Sequence, residues 1–466
     1  MLRLGQDLGF SGRSMLDLTK IYNAFDSDQP LPADDDVRYV DLSEVRGQSK
    51  TARKLVQKIL NAPGHTSHHL LMGHTKCGKT TELLRTQRFL EEKGYATVFF
   101  DVADIASRTF EYTTVLLLMA GQVVEQLSAR KSKPIEVKGT SAQKLAEFLL
   151  EKEITHGQEF KGGATGKLDA KLAPGFLAQF LGHLGLGLEL RGGFGRSRDI
   201  TLKLEADTKG FLSAVQDLIE DACTRTGEAG FKGLVVICDG CDKLALSATD
   251  EAGKSHDLQR AMFVDHAPDL RSVPCHVIYT VPISISVNLG DIWEQMPEFL
   301  PAIPVNKLAG VEDKYSGAGR TALKEVICKR LVQQGADDNV LFTEAGLLDQ
   351  LITFSGGHIS DLILLVRQAV LEAQTDDSER VCENHVKLSI RSRAQEFTKL
   401  VEARYLPCLA AIDKSKNAPA GTDEYRELIF KRLVLEYLCG DDNKVDLHPL
   451  VAASDAYRRS QDPGIR

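Results

Sequence analysis

The chain has 466 residues, 43% of them hydrophobic and 26% charged, which allows a sizeable core and about two to four domains. A net charge of −8 excludes a protein drawn to nucleic acid or anionic lipid by overall attraction, so any such contact needs a local basic patch. Nine scattered cysteines exclude a disulfide framework, and an opening segment without an uninterrupted apolar core predicts a cytoplasmic protein.

Taken in chain order, the first strong signal is a short apolar run, His68 to Met72, that ends in Gly73-His74-Thr75-Lys76-Cys77-Gly78-Lys79-Thr80, the complete pattern G-x-x-x-x-G-K-[ST]. Glycines at both ends let the backbone fold tightly, so that successive amides point at phosphate oxygens and the next helix adds its positive end. Residues 73 to 81, Thr81 included, are therefore expected to hold the phosphates of ATP. Lys79 reaches the β/γ oxygens and the Thr80 hydroxyl ligates Mg²⁺. Helical spacing follows over Thr80 to Lys93, with Leu83, Leu84 and Leu90 on one face, and Tyr95 to Asp101 reads as the next parallel strand.

The second diagnostic run, Leu234-Val235-Val236-Ile237-Cys238-Asp239, reads as a strand buried on both faces with an acid at its C-terminal end. Open α/β sheets bind ligands there, which places Asp239 opposite Thr80 across the metal, and Asp242 three residues on is suited to orient or deprotonate water. Cys275 to Val281 is a further strand with Thr280 as a candidate polar sensor, and Phe299 to Leu308 is expected to close the sheet. Asp239 lies much farther from Lys79 than one βα unit needs, which implies an insertion at about 129–205. Inside it, 183–191 alternates strictly with leucine, and 196–204 offers a returning strand of a β-hairpin. Glycines, Gln179, His183 and Glu189 argue against a membrane span in that segment, while Arg191, Arg196 and Arg198 keep DNA contact open.

Two other groupings read as structural. Cys238 and Cys241 form a C-x-x-C without a second pair at zinc spacing, and His68 and His69, adjacent on a strand, face opposite ways. Beyond the sheet, Glu312 to Ala373 is periodic and helical, broken at Gly335 and at Gly356-Gly357. A long helix is expected over Glu383 to Glu402, then a linker at Lys414 to Gly421. A helix and two short strands turning at Gly440 to Asn443 complete the chain as a winged-helix-like unit that binds DNA or clamps the core shut.

These motifs resemble the AAA+-like P-loop ATPases of the STAND and origin-recognition type, through residues 73–80, 234–244, 38–47, 354–370 and 445–451. The resemblance implies a doubly wound parallel α/β sheet of the P-loop NTPase (ASCE/AAA+) type, followed by a helical lid and a winged helix. The implied boundaries are an N-terminal arm over 1–36, an ATPase core over 37–310, a lid over 311–400 and a C-terminal unit over 401–466. It also implies that the segment bearing Arg46 holds the adenine and that His448 touches the β-phosphate of ADP. At the position where a lid arginine is usual, this chain has Ser360 or Asp361, with Arg367 farther along. The expected function is an ATP-hydrolysing switch acting through self-assembly or a partner in signalling or defence; the alternative is an ATP-controlled DNA-binding initiator or partition protein. ATP is preferred to GTP because no N-K-x-D run follows Asp239.

Overall fold

In the computed structural model, which describes residues 16–148 apart from 49, 63–65, 107, 138–140, 143 and 146–147, and residues 207–461 apart from 250–252, 286–288, 309–310, 420 and 441, five runs form one parallel sheet. They are β1 (Ser67–Gly73), β2 (Ala96–Asp101), β3 (Leu234–Asp239), β4 (His276–Pro282) and β5 (Glu298–Leu300), ordered β2-β3-β4-β1-β5. All residues of β3 and β4 are buried because helices cover both faces. Val235, Ile237 and Ile278 pack on α2 (Thr51–Leu60) and α3 (Lys79–Glu92). Their neighbours Val236, Cys238 and Val277 turn the other way, toward α4 (Tyr112–Ser128) and α5 (Thr208–Glu228). The doubly wound α/β class expected from the apolar runs is the class observed.

Of the expected closing run only Phe299 and Leu300 are strand, in β5. Pro301 and Pro304 remove amide donors from the residues beyond it, so the ladder stops there. Ala302 turns instead to the C-terminal unit, bridging Tyr437 and donating its amide to the Glu436 carbonyl at 2.9 Å. The expected hairpin at 183–204, with Arg191, Arg196 and Arg198, lies outside the described residues. Before it, Ile135, Val137, Ala142 and Leu145 are buried in the same core as α5.

The lid is built from α6 (Asp313–Val332), α7 (Leu347–Ser355), α8 (Ile359–Thr375) and α9 (Glu383–Leu400). The N-terminal helix α1 (Leu18–Ala24) lies on it, with Ile21 and Phe25 fully buried in the lid core. The C-terminal unit comprises α10 (Leu406–Ser415), α11 (Asp423–Phe430) and the antiparallel pair β6 (Val434–Cys439) and β7 (Asp442–Leu447), the parts of a winged helix. Helix α10 reaches into the expected linker. Among the described residues no helix is long and apolar enough to cross a membrane.

Candidate nucleotide site

The loop between β1 and α3 is forced into shape by its glycines. A Cβ on Gly73 would lie 2.7 Å from the Leu300 carbonyl oxygen on β5, and Gly78 adopts φ +105 as it enters α3, where a side chain would be strained. Lys79 is 4% exposed. Its ammonium donates to the carbonyls of Gly73 (2.9 Å) and His74 (2.7 Å) and pairs with Asp242 at 2.9 Å. Burial opposes the charge, but Asp242 more than restores it and the lysine pKa is raised.

The Thr80 hydroxyl donates to Asp239 Oδ2 at 2.6 Å, although the two residues leave different strands with β4 between them. Asp239 also accepts the Gly240 amide at 2.7 Å. Burial, and after it the neighbouring Asp242, pushes the Asp239 pKa up to about 6. Thr280, fully buried on β4, accepts the Asp242 amide at 3.4 Å and so anchors the turn after β3.

These groups border a cleft of about 420 Å³. Its lining includes apolar side chains of Val40, Leu42, Val326, Ile359 and Ile363 and the charged or polar groups of Lys79, Thr80, Asp239, Asp242, Lys243 and Asp101. Lys76, Cys77, Gly78 and Thr81 of the loop line it too, whereas Gly73, His74 and Thr75 do not. Arg46 also lines the cleft and donates to the Cys77 carbonyl at 2.7 Å. Arg46 Nε and Ser360 Oγ, both buried in this wall, have no hydrogen-bond partner among the described residues. Apolar side chains, charged groups and orphaned polar atoms around one cleft fit a nucleotide. The hard oxygens of Thr80 and Asp239 fit Mg²⁺.

The remaining sequence-predicted residues sit behind the loop, where the C-terminal unit docks. His74 is fully buried, and its Nε2 accepts the Glu436 amide of β6 at 3.0 Å, so its Nδ1 carries the proton. His358, heading α8, reaches the Thr75 carbonyl at 3.0 Å through Nε2. Asp361, one turn on and 0% exposed, gathers Arg432 (2.9 Å), Arg393 (2.7 Å), His358 (2.8 Å) and His448 (3.3 Å). Despite burial, the Arg432 guanidinium above all, with His358 and His448 beside it, holds the Asp361 carboxyl well below the usual range. The structure does not bring His448 into the cleft: it stacks on Phe397 at 4.5 Å, and its Nδ1 accepts the Leu450 amide at 3.2 Å. The reason is that Asp361 takes its other nitrogen. Arg367 is likewise outside the lining, over the Tyr22 ring at 4.4 Å and near Asp26.

Sequence reasoning missed the Asp361 centre and Lys243 with Asp101; it offered Arg330 of the first lid helix for a neighbour's nucleotide, whereas that arginine lines this chain's own cleft, its pKa lowered by burial to about 10. Asp361 and Lys243 stand inside recognised segments, but no spacing rule marks them. Cys238 and Cys241 are fully buried, and their thiols are pushed well up in pKa.

No protein-family model matches the sequence, and no curated protein matches it. Among solved structures, the chain is similar to a Walker-type ATPase of Pyrococcus abyssi, with 16% identity over 93% of this chain and 99% of that one, at a TM-score of 0.43. It is similar to a chain of Drosophila ORC bound to DNA, with 13% identity over 99% and 96% and a TM-score of 0.39. It is also similar to the Aeropyrum pernix ORC2 protein in ADPNP-ADP complexes, with 14% identity over 94% and 95% and a TM-score of 0.40. The similarity runs nearly the full length of each chain.

Proposed function

We propose that this protein binds and hydrolyses ATP, and that nucleotide state controls whether the C-terminal unit stays docked on the phosphate loop. The carrying observation is the contact of Thr80 with Asp239 beside the buried pair of Lys79 and Asp242. In this reading Lys79 and the loop amides bind the phosphates, and the Asp242 carboxylate, released when Lys79 turns to phosphate, takes a proton from water. A bound magnesium ion supplies charge neutralisation at the phosphate oxygens. The switch links to docking through His74 of the loop, tied to Glu436 of the C-terminal unit, and to the lid through Thr75, tied to His358. Its output is self-assembly or a partner protein, as a signalling or defence switch requires.

Native mass spectrometry of the purified chain in Mg·ATP is the direct test. One ATP or ADP per chain, with phosphate released over time, is the expected result; a chain that carries no nucleotide refutes the reading. The same spectra give the subunit count.

A second reading keeps this site and gives the C-terminal unit a DNA duplex to grip. Arg391 on α9, with Arg458 and Arg459 on the terminal helix Asp455–Gln461, are exposed basic residues available for it. Arg393 is not available, being spent on Asp361. Under this reading, fluorescence anisotropy shows duplex binding that weakens steeply between about 50 and 200 mM salt and falls in Arg391→Ala. No binding at low salt removes it.

A further inference from the structure

We infer that Lys243 is the group by which this cleft distinguishes a triphosphate from a diphosphate. The inference rests on the proposed binding of nucleotide in the cleft and adds a residue to it. Lys243 closes the tight turn after β3: its amide donates to the Gly240 carbonyl at 3.0 Å, and Gly240 itself adopts φ +77. Space dictates that glycine, since a Cβ there would fall 1.9 Å from Asp101 Oδ1. Asp101 ends β2 in register with Asp239 on β3. The turn is therefore pressed against Asp101, and Lys243 Nζ pairs with Asp101 Oδ2 at 2.6 Å.

Two lysines thus line the cleft, each held by its own carboxylate: Lys79 by Asp242 and Lys243 by Asp101. They differ in freedom. Lys79 is clamped by two loop carbonyls as well and is almost fully buried, whereas the Lys243 side chain is 31% exposed and has Asp101 as its one ion-pair partner among the described residues. Lys243, Asp101 and Asp104 line the same cleft as the loop, and β2, which ends at Asp101, lies on the far side of β3 from the loop's own strand β1. A nucleotide with its base against the apolar side chains and its first phosphates on the loop amides meets Lys79 early. Only a further phosphate extends to the opposite side of Asp239, where Lys243 is held. An ammonium group on a long stem exchanges a carboxylate for a phosphate oxygen at little cost, since both are anionic acceptors. Lys243 then contacts the terminal phosphate, and a diphosphate leaves it on Asp101.

The test is the affinity of the full chain for two probes, mant-ATP and mant-ADP, measured by fluorescence titration in Mg²⁺ for wild type, Lys243→Ala, Lys243→Arg and Asp101→Asn. Lys243→Ala is expected to weaken mant-ATP on the order of tenfold, the scale of one charge-assisted hydrogen bond, and to leave mant-ADP within about twofold. Lys243→Arg retains most of the preference. Asp101→Asn, which removes the competing carboxylate, does not weaken mant-ATP. If the pair only staples the turn, Lys243→Ala and Asp101→Asn act alike and shift both probes equally; that outcome, or no change in Lys243→Ala, overturns the inference. A wild-type chain that binds neither probe instead overturns the nucleotide reading beneath it. Circular dichroism melting of each variant separates unfolding from lost contact.

Discussion

Lys79→Ala is expected to abolish nucleotide-dependent phosphate release, lowering turnover by about a hundredfold or more, with mant-ATP binding lost in the same titration. Lys79 is the cation most deeply set in the cleft wall, and its loss removes a charge aimed at the phosphates in a site shielded from water. The substitution also costs stability without nucleotide. Asp242, 4% exposed, loses its ion-pair partner 2.9 Å away while Asp239 stays close by, and breaking one side of a buried pair costs about 3–5 kcal/mol. Lys79→Arg keeps a charge but not a point-like ammonium between two carbonyls, so it is expected to recover stability more than turnover. Wild-type turnover in Lys79→Ala would refute the assigned site.

Asp361→Asn is expected to lower the melting point by several degrees and to free the C-terminal unit from the phosphate loop. The carboxylate is the shared acceptor of Arg393, Arg432 and His448, and an amide of the same shape leaves Arg432 without its counter-charge and Arg393 with Glu396 alone. The cost is on the order of 3–5 kcal/mol for a buried centre of this kind. Asp217→Asn, which loses only an exposed partner in Lys144, is expected to cost less than about 1 kcal/mol. Hydrogen exchange should quicken in 434–447 and in 73–78 together, because His74 ties those segments to one another. An unchanged melting point and exchange pattern would show that Asp361 does not hold the unit in place.

Acid is expected to open the same contact. Burial lowers the pKa of His74 and His448 below the ordinary value of 6.5, so their neutral forms stabilise the fold. A depressed histidine contributes fully above its unfolded pKa and loses that contribution as pH falls toward the folded one, at about 1.4 kcal/mol per unit for each group. Loss therefore begins below about pH 6.5, before carboxylates with ordinary pKa values take up protons. Protonating His74 also puts a hydrogen on the nitrogen that accepts the Glu436 amide, so the contact breaks where the loop meets β6.

The nucleotide end of this protein was legible in its residues because its chemistry is local. A phosphate loop needs glycines and a lysine at fixed spacing. A strand buried on both faces must be apolar throughout, so the runs ending at Gly73, Asp239 and Pro282 announced both a parallel sheet and the edge where the ligand sits. The same segment pattern marked Arg46 and the turn carrying Asp242. What the sequence did not carry were the contacts whose partners lie far apart along the chain. Asp361 stands in an ordinary amphipathic helix, and nothing in its neighbours says that Arg432, Arg393 and His448 converge on it. The family resemblance gives His448 a nucleotide-touching role, yet its Nε2 is taken by the buried Asp361 carboxylate, an acceptor that lies 87 residues away along the chain. Lys243 is one basic residue among many until Gly240 and Asp101 pin its turn. The chain's own order specified the glycine-rich loop and the acid-ended strand of the candidate site. Only the docking of β6 against the phosphate loop joined that loop to the C-terminal unit, since the donor is the Glu436 backbone amide, which leaves no signature in side-chain identity.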